Sequence, residues 1–140
     1  MKKIIYIGGV LLFNKRLEVL LQLRDNKKNI SNPNKWAFPG GHKRANENIK
    51  SCALREFREE TNYKADNVNF ISNIFLKKKN KKVFFYYTFY DEKQNLICLE
   101  GQKIKFFNLK DIVSLKTPYY TKLIFKKTLS MILNKNNEML

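Results

Sequence analysis

Residues 41–63 read GHKRANENIKSCALREFREETNY, and this stretch concentrates acidic side chains in a strongly basic chain. The sequence of 140 residues has 28 Lys and Arg against 12 Asp and Glu, a formal net charge of +16. If the stretch is helical, positions 56, 59 and 60 project from one face within reach of one another. Four of the acids fall within residues 47–60: Glu47, Glu56, Glu59 and Glu60.

Several local signals agree on a helix from Asn48 to Thr61. Asn48 is a good N-cap, because its side-chain oxygen can accept from the free N–H groups of the first turn. Ile49, Ala53 and Phe57 recur at steps of four and form one apolar stripe. Asn62 follows the last turn, where a residue in the left-handed conformation commonly ends a helix.

The crowded carboxylates of this helix need a partner. Like charges at these spacings cost roughly 0.2–0.5 kcal/mol per pair. Arg55 can pair with Glu59, and Arg58 lies between the acids, but two guanidinium groups do not neutralise four carboxylates. The plain alternative is a solvated, charged helix face. A hard divalent cation such as Mg²⁺ fits better, since it prefers oxygen ligands and is usually held by a few carboxylates together with substrate phosphates.

The context of the helix carries a family resemblance. Phe38-Pro39-Gly40-Gly41 precedes it as a predicted turn in which the backbone can approach a ligand closely. From Gly41 the sequence continues with five residues, Glu47, seven residues, and then REFREETNY. This pattern resembles the Nudix box, Gly-x5-Glu-x7-Arg-Glu-apolar-x-Glu-Glu-x-Gly-apolar, over residues 41–63. The segments 36–41 and 106–109 also resemble their counterparts in that family.

Two positions of the box depart from the pattern. Asn62 stands where the box has its last glycine, and Asn adopts the left-handed conformation at little cost. Tyr63 replaces an aliphatic residue at a packing position. Every charged member of the box is present, which favours a catalytic copy over a degenerate one.

The resemblance implies a fold, an activity and a metal. The fold is an α/β/α sandwich with a mixed sheet between helices, formed by residues 1–140 as a single domain. The activity is hydrolysis of a nucleoside diphosphate linked to another group, with Mg²⁺ or Mn²⁺ and a water that attacks phosphorus. The implied metal ligands are the carboxylates of Glu56, Glu59 and Glu60, with the backbone carbonyl of Gly40.

Further roles follow from the same resemblance. Gly41 and Glu47 are structural in the box, with Glu47 supporting the loop or a second metal. Arg55 is expected to orient the carboxylates through charge-assisted hydrogen bonds. The general base stays open between Glu60 and Glu100, a loop residue. The implied catalytic set is therefore Arg55, Glu59, Glu60 and Glu100.

Two residues outside the box are candidates for substrate binding. Arg24 opens the long polar loop 24–35, and the resemblance places an arginine near there on a substrate phosphate. Trp36 is predicted to flank a nucleotide pocket. His42, the only histidine, is interpreted as a loop residue without a catalytic role.

The rest of the chain predicts alternating strands and helices. A sheet between helices follows from strands that look buried on both faces. Thr117 and Pro118 predict an N-cap and first helical residue for a helix to about Leu133, with the chain loose from Asn134 onward. Strands are predicted at residues 3–13, 18–23, 68–75, 83–90 and 103–107, with a lysine-rich turn at 77–82.

Composition narrows the class of protein. A chain of this length buries enough surface for one core without disulfide or metal staples. Cys52 and Cys98 lack a Cys-x-x-Cys spacing, so neither a zinc site nor a disulfide framework is indicated, and a reducing cytoplasm fits best. No apolar run approaches the ~18 residues that a membrane-spanning helix needs.

Three functional hypotheses remain at this point. The first is a Mg²⁺-dependent pyrophosphohydrolase of a small nucleotide: a nucleoside triphosphate, including an oxidised one, a nucleotide sugar or a dinucleotide. The second is removal of pyrophosphate from the 5′ end of RNA, which would make the basic surface purposeful. The third is a nucleotide- or nucleic-acid-binding regulator that keeps the fold without the chemistry. A homodimer is left open.

Overall fold

Strand β1 (Ile5–Phe13) lies at the centre of a mixed sheet in the computed structural model, which describes residues 2–138. It runs parallel to β6 (Lys81–Phe89) along its whole length, from Ile5 beside Lys81 to Phe13 beside Phe89. Its other edge is shared, because β4 (Gly40–His42) pairs with its first half and β2 (Val19–Leu23) with its end. This division opens the sheet next to β4.

The remaining strands extend the sheet on both sides. Beyond β6 lies the antiparallel β5 (Asn69–Leu76), and the two are joined by a short 3-10 turn, Lys77–Lys79. On the other side, β2 pairs with β3 (Trp36–Ala37) and with β7 (Lys103–Phe107), both antiparallel. One parallel pair among antiparallel ones makes the sheet mixed, as predicted.

Alternating side chains of β1 supply two separate apolar layers. Val10 and Leu12 pack with Phe57 of helix α1 (Ile49–Thr61) on one face. Leu11 and Phe13 pack on the other face, in the layer that holds the apolar side of helix α3 (Thr121–Glu138). The helix–sheet–helix sandwich is thus confirmed, and its period-2 strand pattern is the physical cause.

Helix α1 has the caps that its sequence predicts. The Asn48 side chain accepts from the Ser51 N–H at 2.8 Å, and Asn62 has φ 65°, the left-handed conformation. Gly8 of β1 allows the helix to sit directly on the sheet, because a Cβ at Gly8 would come within 2.9 Å of the Ala53 backbone nitrogen. The box helix is therefore fixed against the central strand.

The predicted turn at Gly40 and Gly41 is wrong in form. These residues make strand β4, where Gly40 lies opposite Gly9 and Gly41 opposite Gly8. Glycine facing glycine brings the two backbones close enough to pair, which the sequence pattern of a glycine turn does not reveal. A short helix α2 (Leu109–Ile112), capped by the Asn108 side chain, was also not predicted.

Helix α3 begins and ends later than predicted. Thr117 and Pro118 do not start it, because residues 118–120 form a turn in which the Thr121 N–H donates to the Pro118 carbonyl at 3.1 Å. The turn is held where Tyr120 packs on Phe85, with ring centroids 5.5 Å apart. The helix then continues to Glu138, so residues 134–138 are not loose, and the last two residues lie outside the described part. Within residues 2–138, no helix combines the length and apolar character needed to cross a membrane.

Candidate active site

Arg55 is the centre of a network of acidic groups on helix α1. Its Nε and one terminal nitrogen donate to the two carboxylate oxygens of Glu47, at 2.9 and 2.6 Å. The other terminal nitrogen donates to Glu56 at 2.9 Å and to Glu59 at 3.2 Å. The guanidinium also donates to the His42 carbonyl at 3.0 Å, which ties the helix to β4. One side chain thus contacts three of the four box carboxylates.

Glu47 is a fixed anchor for the loop that enters the helix. Besides Arg55, it accepts from the Arg44 backbone N–H at 2.9 Å. These hydrogen bonds lower the pKa of Glu47 to about 2, so it is ionised throughout the neutral range. With both its oxygens engaged, Glu47 holds the loop in place.

Glu56 faces the cavity beside β4 because Gly41 leaves room for it. A Cβ at Gly41 would overlap the Glu56 carboxyl group. Gly40, Gly41 and Glu56 all line the same cavity. The two box positions are therefore complementary in shape, and this is the physical reason that the box begins with glycine.

Glu59 stands apart from the other two carboxylates of the predicted metal set. Its side chain is 49% exposed and lies between Arg55 and Arg44, 3.7 Å from a terminal nitrogen of Arg44. It does not line the cavity. The structure thus brings Glu56 and Glu60 to the cavity and leaves Glu59 at its outer rim, held by arginine.

Glu60 is buried, with 1% of the residue exposed, one helical turn beyond Glu56. Its Oε1 accepts from the Gln22 amide at 3.2 Å, whereas its Oε2 is buried and has no hydrogen-bond partner among the described residues. Burial, followed by the neighbouring Glu100 side chain, raises the pKa of Glu60 to about 9. A buried carboxyl with an unused oxygen at a cavity wall is a group prepared for a proton or a cation.

The loop that carries Glu100 is docked onto the end of helix α1. The Leu99 N–H donates to the Glu60 carbonyl at 2.9 Å, and the Gln22 amide also donates to the Glu100 carbonyl at 3.0 Å. Gln22 thus bridges the two acidic residues from strand β2. Both candidate bases, Glu60 and Glu100, line the cavity.

These residues fit a hard divalent cation, with one rearrangement. Among residues 2–138, no group of three His, Cys, Asp or Glu side chains is arranged to hold an ion as it stands. The cause is visible, since Arg55 holds Glu56 and Glu59. The unpartnered Glu60 oxygen and the Glu56 carboxylate are oxygen donors of the kind that Mg²⁺ prefers. Glu59 would join them only on leaving its contacts with both Arg55 and Arg44.

Cationic side chains line the cavity as well as acidic ones. The cavity has a volume of about 310 Å³, and Arg24, Lys79 and Lys81 line it together with the acids. Arg24 is fixed by donating from Nε to the Ser31 carbonyl at 2.7 Å, and Lys81 reaches the Ser31 hydroxyl at 3.1 Å. Burial and the nearby Lys79 and Arg24 lower the pKa of Lys81. Arg24, predicted to bind substrate, thus lines the same cavity as Glu56 and Glu60.

Aromatic rings complete the cavity. Phe38, Phe85 and Tyr120 line it, and both Phe38 and Tyr120 pack on Phe85, with centroids 5.9 and 5.5 Å apart. We call these three rings the aromatic floor. A cavity lined by rings, carboxylates and cationic groups suits a ligand with a planar apolar part and a charged part.

Trp36 does not flank the cavity, although it was predicted to flank a nucleotide pocket. It lies edge-on to Phe107 with centroids 4.8 Å apart, under Lys103, and it is not among the residues that line the cavity. The pairing of β2 with both β3 and β7 turns it towards the core. By contrast, His42 lines the cavity, and burial together with Lys81 lowers its pKa.

Several residues of this site were not predicted from the sequence. Lys79 and Lys81 come from the lysine-rich turn and line the cavity, and the parallel pairing of β6 with β1 fixes Lys81 beside Ile5. Gln22 looks like an ordinary polar residue in an apolar strand. The one sequence signal that could have singled out Gln22 is its position in the apolar strand segment EVLLQL. An amide buried there, as Gln22 is, needs a hydrogen-bond partner.

Comparisons with known proteins agree with this architecture. A family model described as the NUDIX domain matches residues 5–125. No curated protein matches the chain by sequence. The MutT protein from Methanosarcina mazei Go1 has a similar structure, with a TM-score of 0.75 and 23% identity, over 90% of this chain and 93% of that one.

Two further structures have the same fold. A C. elegans Ap4A hydrolase, solved as a binary complex, gives a TM-score of 0.79 at 19% identity, over 94% of this chain and 99% of that one. The NUDIX domain of Shewanella oneidensis NrtR, complexed with ADP ribose, gives 0.78 at 16% identity, over 94% and 90%. At these identities the likeness establishes the fold alone.

Proposed function

The chain belongs to the NUDIX domain family and is a hydrolase of phosphorus-containing anhydrides, and on that premise we propose that it is a Mg²⁺- or Mn²⁺-dependent pyrophosphohydrolase. Its proposed substrate is a nucleoside diphosphate derivative: a nucleoside triphosphate, including an oxidised one, a nucleotide sugar or a dinucleotide. Water attacks one phosphorus of the pyrophosphate linkage.

One observation carries this proposal. Acidic groups (Glu56, Glu60, Glu100) and basic groups (Arg24, Lys79, Lys81) line one cavity together with an aromatic floor. The acidic groups suit a divalent cation, and the basic groups suit the phosphate oxygens of a polyphosphate. The floor of Phe85 and Tyr120 suits a base or another planar group.

The reaction can be written with the groups of this chain. The water oxygen forms a bond to phosphorus, the bridging P–O bond breaks, and the bridging oxygen leaves on the departing phosphate. The proton of the water passes to a carboxylate. Glu60 and Glu100 both line the cavity, and either carboxylate is placed to accept this proton. Turnover of the variants Glu60→Gln and Glu100→Gln identifies the acceptor.

Four groups of the site would hold the metal in this reaction. Glu56 and Glu60 would hold it, joined by Glu59 and the Gly40 carbonyl, and when bound it supplies charge neutralisation and an activated water. Arg55 keeps Glu56 and Glu59 in position, and Gln22 keeps Glu60 in position. Arg24 and Lys81 stabilise negative charge on the phosphoryl oxygens, which increases as the bridging bond breaks.

Two proteins of the same fold support the substrate class. One is an Ap4A hydrolase and another was solved with ADP ribose, so both involve a nucleotide with a pyrophosphate group. The binding-only alternative gains nothing from the crowded carboxylates. The hydrolase and the regulator are distinguished by experiment, since a regulator would bind these nucleotides in chelator and leave them intact in Mg²⁺.

A substrate screen tests the proposal. Purified protein is incubated with Mg²⁺ and, in turn, a nucleoside triphosphate, its 8-oxo form, a nucleotide sugar and a dinucleoside polyphosphate. The proposal requires release of a nucleoside phosphate from at least one of them, with loss of the reaction in chelator. Intact substrates in every case, with folded protein, would reject it.

A further inference from the structure

A second, shallower depression continues from the active-site cavity along the lysine-rich turn. Its volume is about 440 Å³, and it shares Asn32, Leu76, Lys79 and Tyr120 with the cavity. We call it the lysine groove. Its walls are Lys35, Lys77, Lys78, Lys79, Phe75 and Tyr119.

The charge of the lysine groove is uncompensated. Lys77, Lys78 and Lys79 form the whole 3-10 turn between β5 and β6, and all three are exposed. Within residues 2–138, none of them lies within ion-pair distance of a carboxylate, and the groove has no acidic lining residue. Three adjacent ammonium groups without a counter-charge favour a ligand with several negative charges at short intervals.

The groove also exposes aromatic rings. Tyr119 is 74% exposed and Phe75 is 48% exposed, although both are large apolar side chains. Tyr119 is edge-on to Tyr120 with centroids 5.3 Å apart, and Tyr120 packs on Phe85 in the cavity floor. Aromatic surface therefore runs from the cavity into the groove without a break.

We propose that the lysine groove binds the second and following nucleotides of a single-stranded RNA whose 5′ polyphosphate lies in the cavity. This inference rests on the proposed function, a metal-dependent pyrophosphohydrolase, and adds a 5′-polyphosphorylated RNA to its substrates. Bases stack on Tyr119 and Phe75, and the successive phosphodiesters lie beside Lys77, Lys78 and Lys79. Exposed rings beside a basic track are the features with which proteins bind single strands.

The arrangement favours an RNA chain over a dinucleoside polyphosphate. In the latter, all phosphates lie between the nucleosides, so the far nucleoside carries no charge and needs only a ring to stack on. An RNA continues with one negative charge per nucleotide. Only the RNA chain uses both the rings and the run of lysines.

A length series tests the proposal. Turnover is measured in Mg²⁺ with a nucleoside triphosphate and with 5′-triphosphorylated RNAs of two, three and six nucleotides. We expect kcat/KM to rise with length up to about three nucleotides and then level off. Equal kcat/KM for the triphosphate and the hexanucleotide would overturn the inference and leave the proposed function intact, whereas no hydrolysis of any substrate would reject the proposed function itself.

Variants separate the groove from general basicity. Lys77→Gln/Lys78→Gln is compared with Lys126→Gln/Lys127→Gln, an equally charged exposed pair on helix α3 that lines neither depression. Only the first pair is expected to lower the preference for the hexanucleotide over the triphosphate. An equal effect of the two pairs would contradict the assignment. Equal losses on hexanucleotide and dinucleoside tetraphosphate would assign the groove to a second nucleoside instead.

Binding without turnover provides an independent measurement. A 3′-labelled hexaribonucleotide with a 5′ monophosphate is titrated in chelator at several salt concentrations. The Lys77→Gln/Lys78→Gln variant should reduce the slope of log K against log salt by about 1.4, since each lost contact to a single strand removes about 0.7. Tyr119→Ala should weaken binding about tenfold and Tyr119→Phe should restore it. An unchanged slope with unchanged binding of Tyr119→Ala would refute the groove.

Discussion

Arg55 and Glu47 are joined by two parallel hydrogen bonds, of 2.9 and 2.6 Å, and this fork fixes the guanidinium that orients the other box carboxylates. The pair lies on the rim of the site, with side chains 19% and 13% exposed. Its role is therefore geometric. It holds the loop and the helix together so that Glu56 faces the cavity.

Replacing the Arg55 guanidinium by a lysine ammonium group should lower activity although the positive charge is kept. Arg55→Lys keeps the charge but cannot reach Glu47, Glu56 and Glu59 together. We expect a fall in kcat of at least ~10²-fold, and a loss of about 2 kcal/mol in the free energy of unfolding from urea titration. Wild-type kcat in Arg55→Lys would show that the network does not position the catalytic groups.

Glu59 should be essential although it stands outside the cavity. Glu59→Gln removes the charge that would join the metal set, and we expect turnover to fall by at least ~10²-fold. Glu92→Gln, an exposed loop residue outside the box, makes the same change of charge and should retain turnover. Near-normal turnover of Glu59→Gln would remove Glu59 from the metal set.

The pH dependence of stability should reveal the buried Glu60. In the metal-free protein the pKa of Glu60 is raised from 4.5 to about 9, so the folded state keeps a proton that the unfolded state releases. Its contribution is complete below pH 4.5 and decreases up to about pH 9, by about 1.4 kcal/mol per pH unit. Urea unfolding in chelator should show a steeper decline for the wild type than for Glu60→Gln. Parallel curves would mean that Glu60 is ionised in the folded protein.

A methyl group at Gly41 should displace Glu56. Because a Cβ there overlaps the Glu56 carboxyl group, Gly41→Ala is expected to reduce kcat/KM at least ~10-fold while the fold is retained. A double-mutant cycle with Glu56→Ala measures the contact, since the shorter side chain removes the overlap. Additive effects in the cycle would contradict this packing.

Asn62 should substitute for the box glycine at little cost. Its φ of 65° is open to Asn and Gly and costs other residues about 1–2 kcal/mol. Asn62→Gly should therefore leave stability within ~0.5 kcal/mol and activity unchanged, whereas Asn62→Ala should lose about 1 kcal/mol in thermal or urea unfolding. Equal stability of Asn62→Ala would show that the left-handed cap is unimportant here.

Local features of this protein could be predicted from sequence and distant ones could not. The Asn48 and Asn62 caps and the helix between them depend on neighbouring residues, and the structure confirms them. The Gln22 contacts join residues 38 and 78 positions apart, so no local pattern reveals them.

The same reason explains the misplaced residues. Trp36 looked like a pocket aromatic, but strand pairing with β2 turns it towards Phe107. Lys81 looked like part of a solvated turn, and the parallel pairing of β6 with β1 brings it to the cavity. Glu56, Glu59 and Glu60 share a helix face, yet packing against β1 and β4 decides which of them faces the cavity.

The most direct test is a ³¹P NMR time course of the best substrate from the screen, in Mg²⁺ and in ¹⁸O-enriched water, with a parallel sample in chelator. Metal-dependent attack of water on phosphorus predicts cleavage of the pyrophosphate linkage, ¹⁸O on one phosphorus of the former linkage, and no reaction in chelator. Cleavage that persists in chelator, or ¹⁸O that appears at carbon, would contradict it.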